Sequence, residues 1–260
     1  MNKAIVIIPT YNERENIQPI IDAVFALPVH FHVLIVDDSS PDGTGEIVED
    51  LQGIYNTQET RLHLLKRSGK QGLGTAYIAG FNYALERNYE YILEMDADFS
   101  HDPKDLVRLY NSCARDGADL SIGSRYATGV NVVNWPIGRV LISYFASSYV
   151  RTVTSMPIKD TTAGFVCYKR KVLETIPLNA IKFIGYAFQI EMKFLAWKYG
   201  FRLKEVPIIF TDRTRGESKM SAGIFKEAFF GVLYMTINSW FRKYIPAGQY
   251  KETPSLTEAL

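Results

Sequence analysis

The chain has 260 residues, of which 47% are hydrophobic and 22% charged, with 29 basic side chains against 28 acidic ones. That length and balance fit one large domain, or one domain with a small appendage, and exclude a mostly disordered protein. A net charge of +1 provides no global field for nucleic acid, so nucleic acid is not an expected partner and basic groups must act locally. Cys113 and Cys167 are too few for a disulfide framework and lack metal-ligand spacing; both read as small core residues. One lysine and the short apolar run 4–8 do not make a signal peptide, so the expected location is cytoplasmic.

Short apolar runs alternate with amphipathic stretches through the first half, the pattern of βα units and a mostly parallel sheet in an α/β fold. Residues 4–8 read as a strand and 13–27 as the helix behind it, followed by a strand at 31–36 and a helix at 44–55. A third strand at 62–66 precedes a helix at 71–87, and strands at 91–95 and 120–122 flank a helix at 103–116 that Pro103 opens. The strands are almost continuously apolar, which predicts a sheet covered on both faces. Beyond residue 125 the pattern loosens into a loop at 128–136, a helix at about 137–153 and an extended stretch at 160–169. A helix at 186–199, a strand at 203–210 interrupted by Pro207 and a polar loop at 212–220 follow. The chain closes with an apolar-rich helix at 222–244 and a polar tail, 246–260, expected to be disordered.

Ligands of open α/β sheets gather at the carboxyl ends of the strands, and polar residues collect there in this chain. The first strand runs into Tyr11, Asn12 and Glu13, the second into Asp37 and Asp38, the fourth into Asp96-Ala97-Asp98, and the fifth into Arg125. Two carboxylates spaced i, i+2 offer a hard oxygen site for Mg²⁺ or Mn²⁺ beside a diphosphate; the plain alternative is an acidic loop that caps the helix opened by Pro103. Of Asp37 and Asp38, one can hold a base or ribose while the other fixes the loop, with Asp42 or Thr44 capping the next helix. Gly69-Lys70-Gln71-Gly72-Leu73-Gly74 lacks phosphate-loop spacing and reads as a close-packing loop. Arg139 and Ser143 stand one helical turn apart, on one face. With Arg125, Arg213 and Lys219 they complete a candidate set of phosphate-binding groups, although each alone also fits a solvated surface charge. The four histidines show no metal-ligand spacing and read as structural.

Six motifs occur in order: Pro-Thr-Tyr-Asn-Glu (9–13), Asp-Asp-Ser-Ser-Pro-Asp-Gly-Thr (37–44), Gly-Leu-Gly-Thr-Ala-Tyr (72–77), Asp-Ala-Asp-Phe-Ser-His (96–101), Gly-Ser-Arg-Tyr (123–126) and Asp-Arg-x-x-Gly-Glu-Ser-Lys (212–219). Together they closely resemble the dolichol-phosphate (polyprenol monophosphate) mannose synthases of glycosyltransferase family 2, over roughly residues 3–220. The resemblance implies a Rossmann-like glycosyltransferase A fold in residues 1–220, a divalent ion (Mg²⁺ or Mn²⁺) at Asp96 and Asp98, and transfer of mannose from GDP-mannose to a polyprenyl phosphate. It places Pro9, Tyr11, Glu13, Val36 and Asp38 around guanine and ribose. Asp96, Ala97 and Asp98 would hold the metal, diphosphate and sugar, while Arg213 and Lys219 close over the diphosphate. Arg125, Arg139 and Ser143 would receive the lipid phosphate, with Asp98, Arg125 and Arg139 closest to the chemistry. Some relatives carry Gln where this chain has Ser100, which leaves the third protein ligand of the metal open. Asp160 and Glu191 stand where relatives acting on hydroxyls often place acids, and here they read as architecture of the acceptor site.

Direct attack by the acceptor phosphate would invert the anomeric centre and yield a β-linked product. Rival readings are the same chemistry with UDP-glucose or another sugar nucleotide, a nucleotidyltransferase, or a catalytically silent nucleotide-binding subunit of a membrane complex. No uninterrupted apolar run reaches the roughly 18 residues that suggest a membrane span. The segment 221–245 instead reads as an amphipathic helix lying in the cytoplasmic membrane interface, or packed on a small membrane-spanning partner subunit.

Overall fold

The computed structural model describes residues 3–185, 187–212 and 222–245. Its first half alternates β1 (Ala4–Thr10), α1 (Arg14–Phe25), β2 (Phe31–Asp37), α2 (Thr44–Tyr55), β3 (Leu62–Lys66), α3 (Leu73–Glu86), β4 (Tyr91–Glu94), α4 (Asp105–Ala114) and β5 (Leu120–Ser124). The second half adds β6 (Val132–Val133), α5 (Ile137–Thr154), β7 (Val166–Lys169), α6 (Arg170–Thr175), α7 (Ala187–Lys198), β8 (Leu203–Pro207), β9 (Phe210–Thr211) and α8 (Ala222–Phe241).

Seven strands share one sheet in the order β3-β2-β1-β4-β7-β5-β8, and β6 pairs with β9 in a small second sheet. β3, β2, β1 and β4 run parallel, as do β5 and β8, whereas β7 lies antiparallel between β4 and β5. The expected mostly parallel sheet is therefore present. Side chains alternate between faces along a strand, and both faces are apolar. Ile5, Ile7, Leu34 and Val36 pack with Tyr77 and Phe81 of α3 and Phe188 and Phe194 of α7. Val6, Ile8, Val33 and Ile35 pack with Ile17 and Ile21 of α1, Val48 of α2 and Leu106 of α4. Cys113 and Cys167 are buried and unpaired by disulfide, as the sequence suggested.

The stretch read as one strand at 203–210 divides into β8 and β9, because the chain leaves the main sheet at Pro207 and pairs with β6. Proline lacks the N–H that would continue the ladder. The long terminal helix is present as α8, but the division into an apolar and a polar face expected of it is not seen. Val232, Met235 and Ser239 are buried, yet Phe229, Phe230, Tyr234, Ile237, Trp240 and Phe241 on the open side are exposed. The helix is apolar nearly all round over these residues. The loop read at 212–220 (apart from Asp212) and the tail read at 246–260 lie outside the described residues.

Candidate active site

The register of the parallel strands brings the predicted residues to one edge. Thr10 of β1 pairs with Asp37 of β2, and the fully buried Asp37 side chain closes the corner. Its Oδ1 accepts from the hydroxyls of Thr10 (2.9 Å) and Ser40 (2.6 Å), and its Oδ2 from the Ser40 N–H (3.0 Å). Asp37 thus fixes the loop and leaves Asp38 for the cleft. Arg67, just past β3, grips Asp38 bidentately at 2.6 and 2.7 Å and also donates to Thr75 Oγ1 at 2.8 Å. Sequence reasoning missed Arg67, although its position at the end of a parallel strand was the available signal. Asp42 accepts from the N–H and hydroxyl of Thr44 at 3.0 and 2.6 Å, but the N-cap of α2 is Gly43, at φ +87°, and neither Asp42 nor Thr44 fills that position.

Pro9, Tyr11 and Glu13 are half-buried along the same edge. The Lys70 ammonium lies 5.1 Å from the Tyr11 ring centroid. Val36 pairs with Pro9 across β1 and β2, and its side chain is fully buried in the core. The glycine loop is a packing device, as read: a Cβ on Gly74 would stand 2.8 Å from the Phe188 ring, and one on Gly72 3.1 Å from the Ile184 carbonyl oxygen.

Past β4 the chain presents Asp96 and Asp98, both half-buried, on either side of buried Ala97. The Tyr77 hydroxyl donates to Asp96 Oδ1 at 3.4 Å, and the Ser100 N–H to Asp98 Oδ1 at 3.0 Å. Ser100 is itself buried, and its carbonyl accepts from the Thr211 N–H at 3.1 Å. His101 stacks on Phe165 at 4.6 Å. Burial lowers its pKa to about 4, although Asp98 and Asp160 pull upward; Arg125 pushes the same way as burial. His101 is therefore neutral at ordinary pH, and it packs edge-on against Phe210 at 5.2 Å, the ring that also lies 5.7 Å from the Arg125 guanidinium.

That cluster is built on β5 and α5. Arg125 is 9% exposed and Asp160 is fully buried. The guanidinium donates to Asp160 at 2.8 and 2.6 Å and to Thr162 at 2.8 Å, while the Arg125 N–H donates to Asp160 at 2.9 Å. Burial would raise the Asp160 carboxyl, but the Arg125 charge and hydrogen bonds outweigh it and hold the pKa below the ordinary value. Glu205 fixes the loop beneath, accepting from the N–H groups of Lys159 and Asp160, each at 2.9 Å. Tyr126 donates to Ser143 Oγ at 2.7 Å. The Trp135 ring has the Arg139 guanidinium at 4.2 Å and the Arg125 guanidinium at 5.7 Å, so both cations lie against one aromatic ring. Arg139 also donates to Asp212 at 2.8 Å. A cleft of about 300 Å³ opens beside Tyr126, lined also by Val130, Tyr144, Arg151 and Lys159. Arg213 and Lys219 lie outside the described residues.

Glu191 braces the segment ahead of α7: its Oε2 accepts from the N–H groups of Lys182 (3.0 Å) and Phe183 (3.1 Å). Behind β4 lies a buried network that the sequence reading missed. Glu94 accepts from Gln189 at 2.7 Å and from Tyr168 at 3.3 Å, and Lys193 donates to the carbonyls of Ala163 (2.6 Å) and Gln189 (2.8 Å). Burial pushes Glu94 up to about 8 and Lys193 down to about 8. Its sequence trace is the i, i+4 pair of polar residues, Gln189 and Lys193, inside a helix that is apolar apart from them, Glu191 and Lys198.

The acidic end of β4 and the arginine cluster thus lie over one mostly parallel sheet. The glycosyl transferase family 2 pattern matches residues 5–176, and the chain belongs to that family. A polyprenol monophosphomannose synthase of Mycolicibacterium smegmatis is 46% identical over 230 residues, covering 88% of this chain and 85% of that protein. An undecaprenyl-phosphate mannosyltransferase of Micrococcus luteus is 44% identical over 230 residues, covering 88% and 92%. A glucosyl-3-phosphoglycerate synthase of Mycobacterium tuberculosis, solved with Mn²⁺, UDP and phosphoglyceric acid, aligns with a TM-score of 0.66 over 95% of this chain and 80% of that one. At 16% identity this last likeness concerns the fold alone.

Proposed function

We propose that the protein transfers mannose from GDP-mannose to a polyprenyl phosphate with inversion, giving a β-linked mannosyl phosphate lipid. One structural observation supports the reading: Arg125 and Arg139 flank Trp135, Ser143 bonds Tyr126, and Phe210, whose ring lies 5.7 Å from the Arg125 guanidinium, pairs with His101 at the end of the Asp96–His101 segment. The names of the two mannosyl-transferring relatives agree with it.

Asp96 and Asp98 form an all-oxygen donor set, held by Tyr77 and the Ser100 N–H, that fits a hard divalent ion. Mg²⁺ or Mn²⁺ bound there supplies positive charge that stabilises the leaving diphosphate. The remaining work falls to side chains. Asp38, clamped by Arg67, and the Pro9–Glu13 edge hold the nucleoside. The acceptor phosphate has a second pKa of about 6, so near neutral pH it already carries the attacking oxyanion and needs no general base. The occupied acids agree with this: Asp160 is paired with Arg125, and Glu191 is bound to main-chain N–H groups. Arg125 and Arg139 offset the repulsion between two anionic substrates, which otherwise opposes their approach. The phosphate oxygen forms its bond to the anomeric carbon as the bond to GDP breaks, and GDP leaves with the electron pair.

Contact with the lipid is proposed at a surface of α5 and α8. Leu141, Ile142, Tyr144 and Phe145 of α5 are exposed, as are the α8 aromatics, and Tyr149 stacks on Phe229 at 4.7 Å where the two helices meet. Monomeric soluble domains rarely leave so much contiguous apolar surface open. Among the described residues no helix is long and apolar enough to cross a membrane, so the contact is proposed as peripheral.

A panel of radiolabelled sugar nucleotides, incubated with a short-chain polyprenyl phosphate and either Mg²⁺ or Mn²⁺, tests the reading. The expected result is label in the lipid from GDP-mannose alone, abolished by chelation and by Asp98→Ala. Label from UDP-glucose would overturn the donor assignment. Absence of lipid product from every donor would overturn the transferase assignment, and full activity in the Asp98 variant would overturn the metal site.

A further inference from the structure

The amino edge of the sheet, opposite the active site, carries a second group of metal-ligating side chains. His30 immediately precedes β2 and His32 lies within it, with their ring centroids 5.8 Å apart. Glu59, in the turn between α2 and β3, reaches across them. His30 Nε2 lies 2.9 Å from one Glu59 carboxylate oxygen and His32 Nε2 3.2 Å from the other, and the ligand atoms of all three residues lie within 4.8 Å of one another. Asn56 holds the turn: its Oδ1 accepts from the N–H groups of Arg61 and Leu62, each at 2.9 Å, and its Nδ2 donates to the Leu62 carbonyl at 2.9 Å. The carboxylate is thus delivered to the histidines by a braced turn.

We propose that His30, His32 and Glu59 form a binding site for Zn²⁺ or a similar borderline transition ion, separate from the active site. Ligand atoms around a tetrahedral zinc, at bonds of about 2.0–2.1 Å, stand about 3.3–3.4 Å apart. The two nitrogen–oxygen separations fall just short of that, so a small rotation of the half-exposed Glu59 side chain admits an ion. Two imidazoles and one carboxylate make a nitrogen-rich set that selects zinc, cobalt, nickel or copper over magnesium. Water would complete the coordination.

The surroundings fit a ligand role for His32. A metal-bound histidine ordinarily donates its other ring N–H to a neighbour, which fixes its tautomer. His32 Nδ1 lies 2.8 Å from the Tyr89 hydroxyl oxygen, which lies 3.1 Å from His63 Nε2. With His32 Nε2 as ligand, Nδ1–H donates to Tyr89 and the Tyr89 hydroxyl donates to His63, so each proton has one place. The nearby cation, Arg61, is held by other partners: it donates to the Phe31 carbonyl at 3.1 Å and lies over the Phe25 ring at 4.4 Å. Six residues of strand, at about 3.3 Å each, separate His32 from Asp38, or about 20 Å. The ion would therefore pin the α2–β3 turn to the start of β2 and take no part in transfer.

The test uses the untagged full-length chain, freed of metal and then saturated with Mg²⁺ to fill the active site. Zn²⁺ alone is titrated by calorimetry, and Co²⁺ is titrated by its visible absorption. The proposal expects one equivalent of each per chain, a tetrahedral cobalt spectrum, and a Tm raised by about 5 °C or more when Zn²⁺ stands a hundredfold above its Kd. His30→Ala and Glu59→Ala should each weaken Zn²⁺ binding by about tenfold or more while Mg²⁺-supported turnover stays at the wild-type rate. The site is overturned if the wild-type chain takes up no zinc beyond the magnesium-filled positions, or if both variants bind zinc as tightly as wild type.

Discussion

Replacing Asp160 by Asn tests how the acceptor site is held together. Arg125 and Asp160 share three hydrogen bonds, with Arg125 only 9% exposed and Asp160 fully buried. Asn keeps the shape but offers one acceptor oxygen and no charge, so a guanidinium is left in the interior without its counter-ion. Breaking a buried pair from one side costs about 3–5 kcal/mol, a large part of a total stability of about 5–15 kcal/mol. At about 2–4 °C per kcal/mol for a chain of this size, Tm should fall by about 6–20 °C. Freed from Asp160, Arg125 no longer points at one place, and the KM for polyprenyl phosphate should rise about tenfold or more while the KM for sugar nucleotide changes little. The double variant Arg125→Met, Asp160→Leu separates the two effects. Replacing both charges with apolar groups of similar volume restores much of the stability, yet it leaves no cation for the lipid phosphate. Differential scanning fluorimetry and steady-state kinetics read both quantities. An unchanged Tm and acceptor KM in Asp160→Asn, or a wild-type acceptor KM in the double variant, would refute the reasoning. Because the Asp160 pKa is held below its unfolded value of 3.8, the pair contributes fully above about pH 4 and is lost only as pH falls through the lower, folded value.

Three other expectations concern separate parts of the molecule. Arg67→Ala removes the clamp on Asp38 and should raise the KM for sugar nucleotide about tenfold or more, leaving the acceptor KM near wild type; the opposite pattern would move Arg67 out of the nucleotide site. Burial raises Glu94 from 4.5 to about 8, so wild-type stability should decline with rising pH across that interval, by up to about 1.4 kcal/mol per unit from this group. Lys193, lowered from 10.5 to about 8, contributes its own pH dependence only above that interval. Urea unfolding between pH 5 and 8 should show a shallower decline in Glu94→Gln than in wild type, and equal slopes would remove Glu94 as the cause. The pair Phe145→Glu and Trp240→Glu should abolish flotation with liposomes while sparing transfer to a detergent-dispersed short-chain acceptor, and continued flotation would locate the membrane contact elsewhere.

The local parts of this protein were legible in its sequence because local physics determines them. Apolar runs such as 4–8, and 31–36 apart from His32, fit strands of a sheet covered on both faces, with the polar residues after them at the strand ends. The Asp96/Asp98 pair and the Arg139/Ser143 turn belong to this category, as does the packing role of Gly72 and Gly74. Other features depend on segments far apart in the chain meeting. β7 enters antiparallel between β4 and β5, and nothing within residues 160–169 specifies those neighbours. Arg67 finds Asp38 only once β3 lies beside β2, and Arg125 finds Asp160 across 35 positions of chain. The apolar open side of α8 likewise becomes visible only when packing shows which side Val232 and Met235 bury. Composition and periodicity thus determined the layers and the edge where ligands collect. Tertiary structure decided which charge neutralises which, because pairing in a low-dielectric interior depends on ångström distances between elements and not on spacing along the chain.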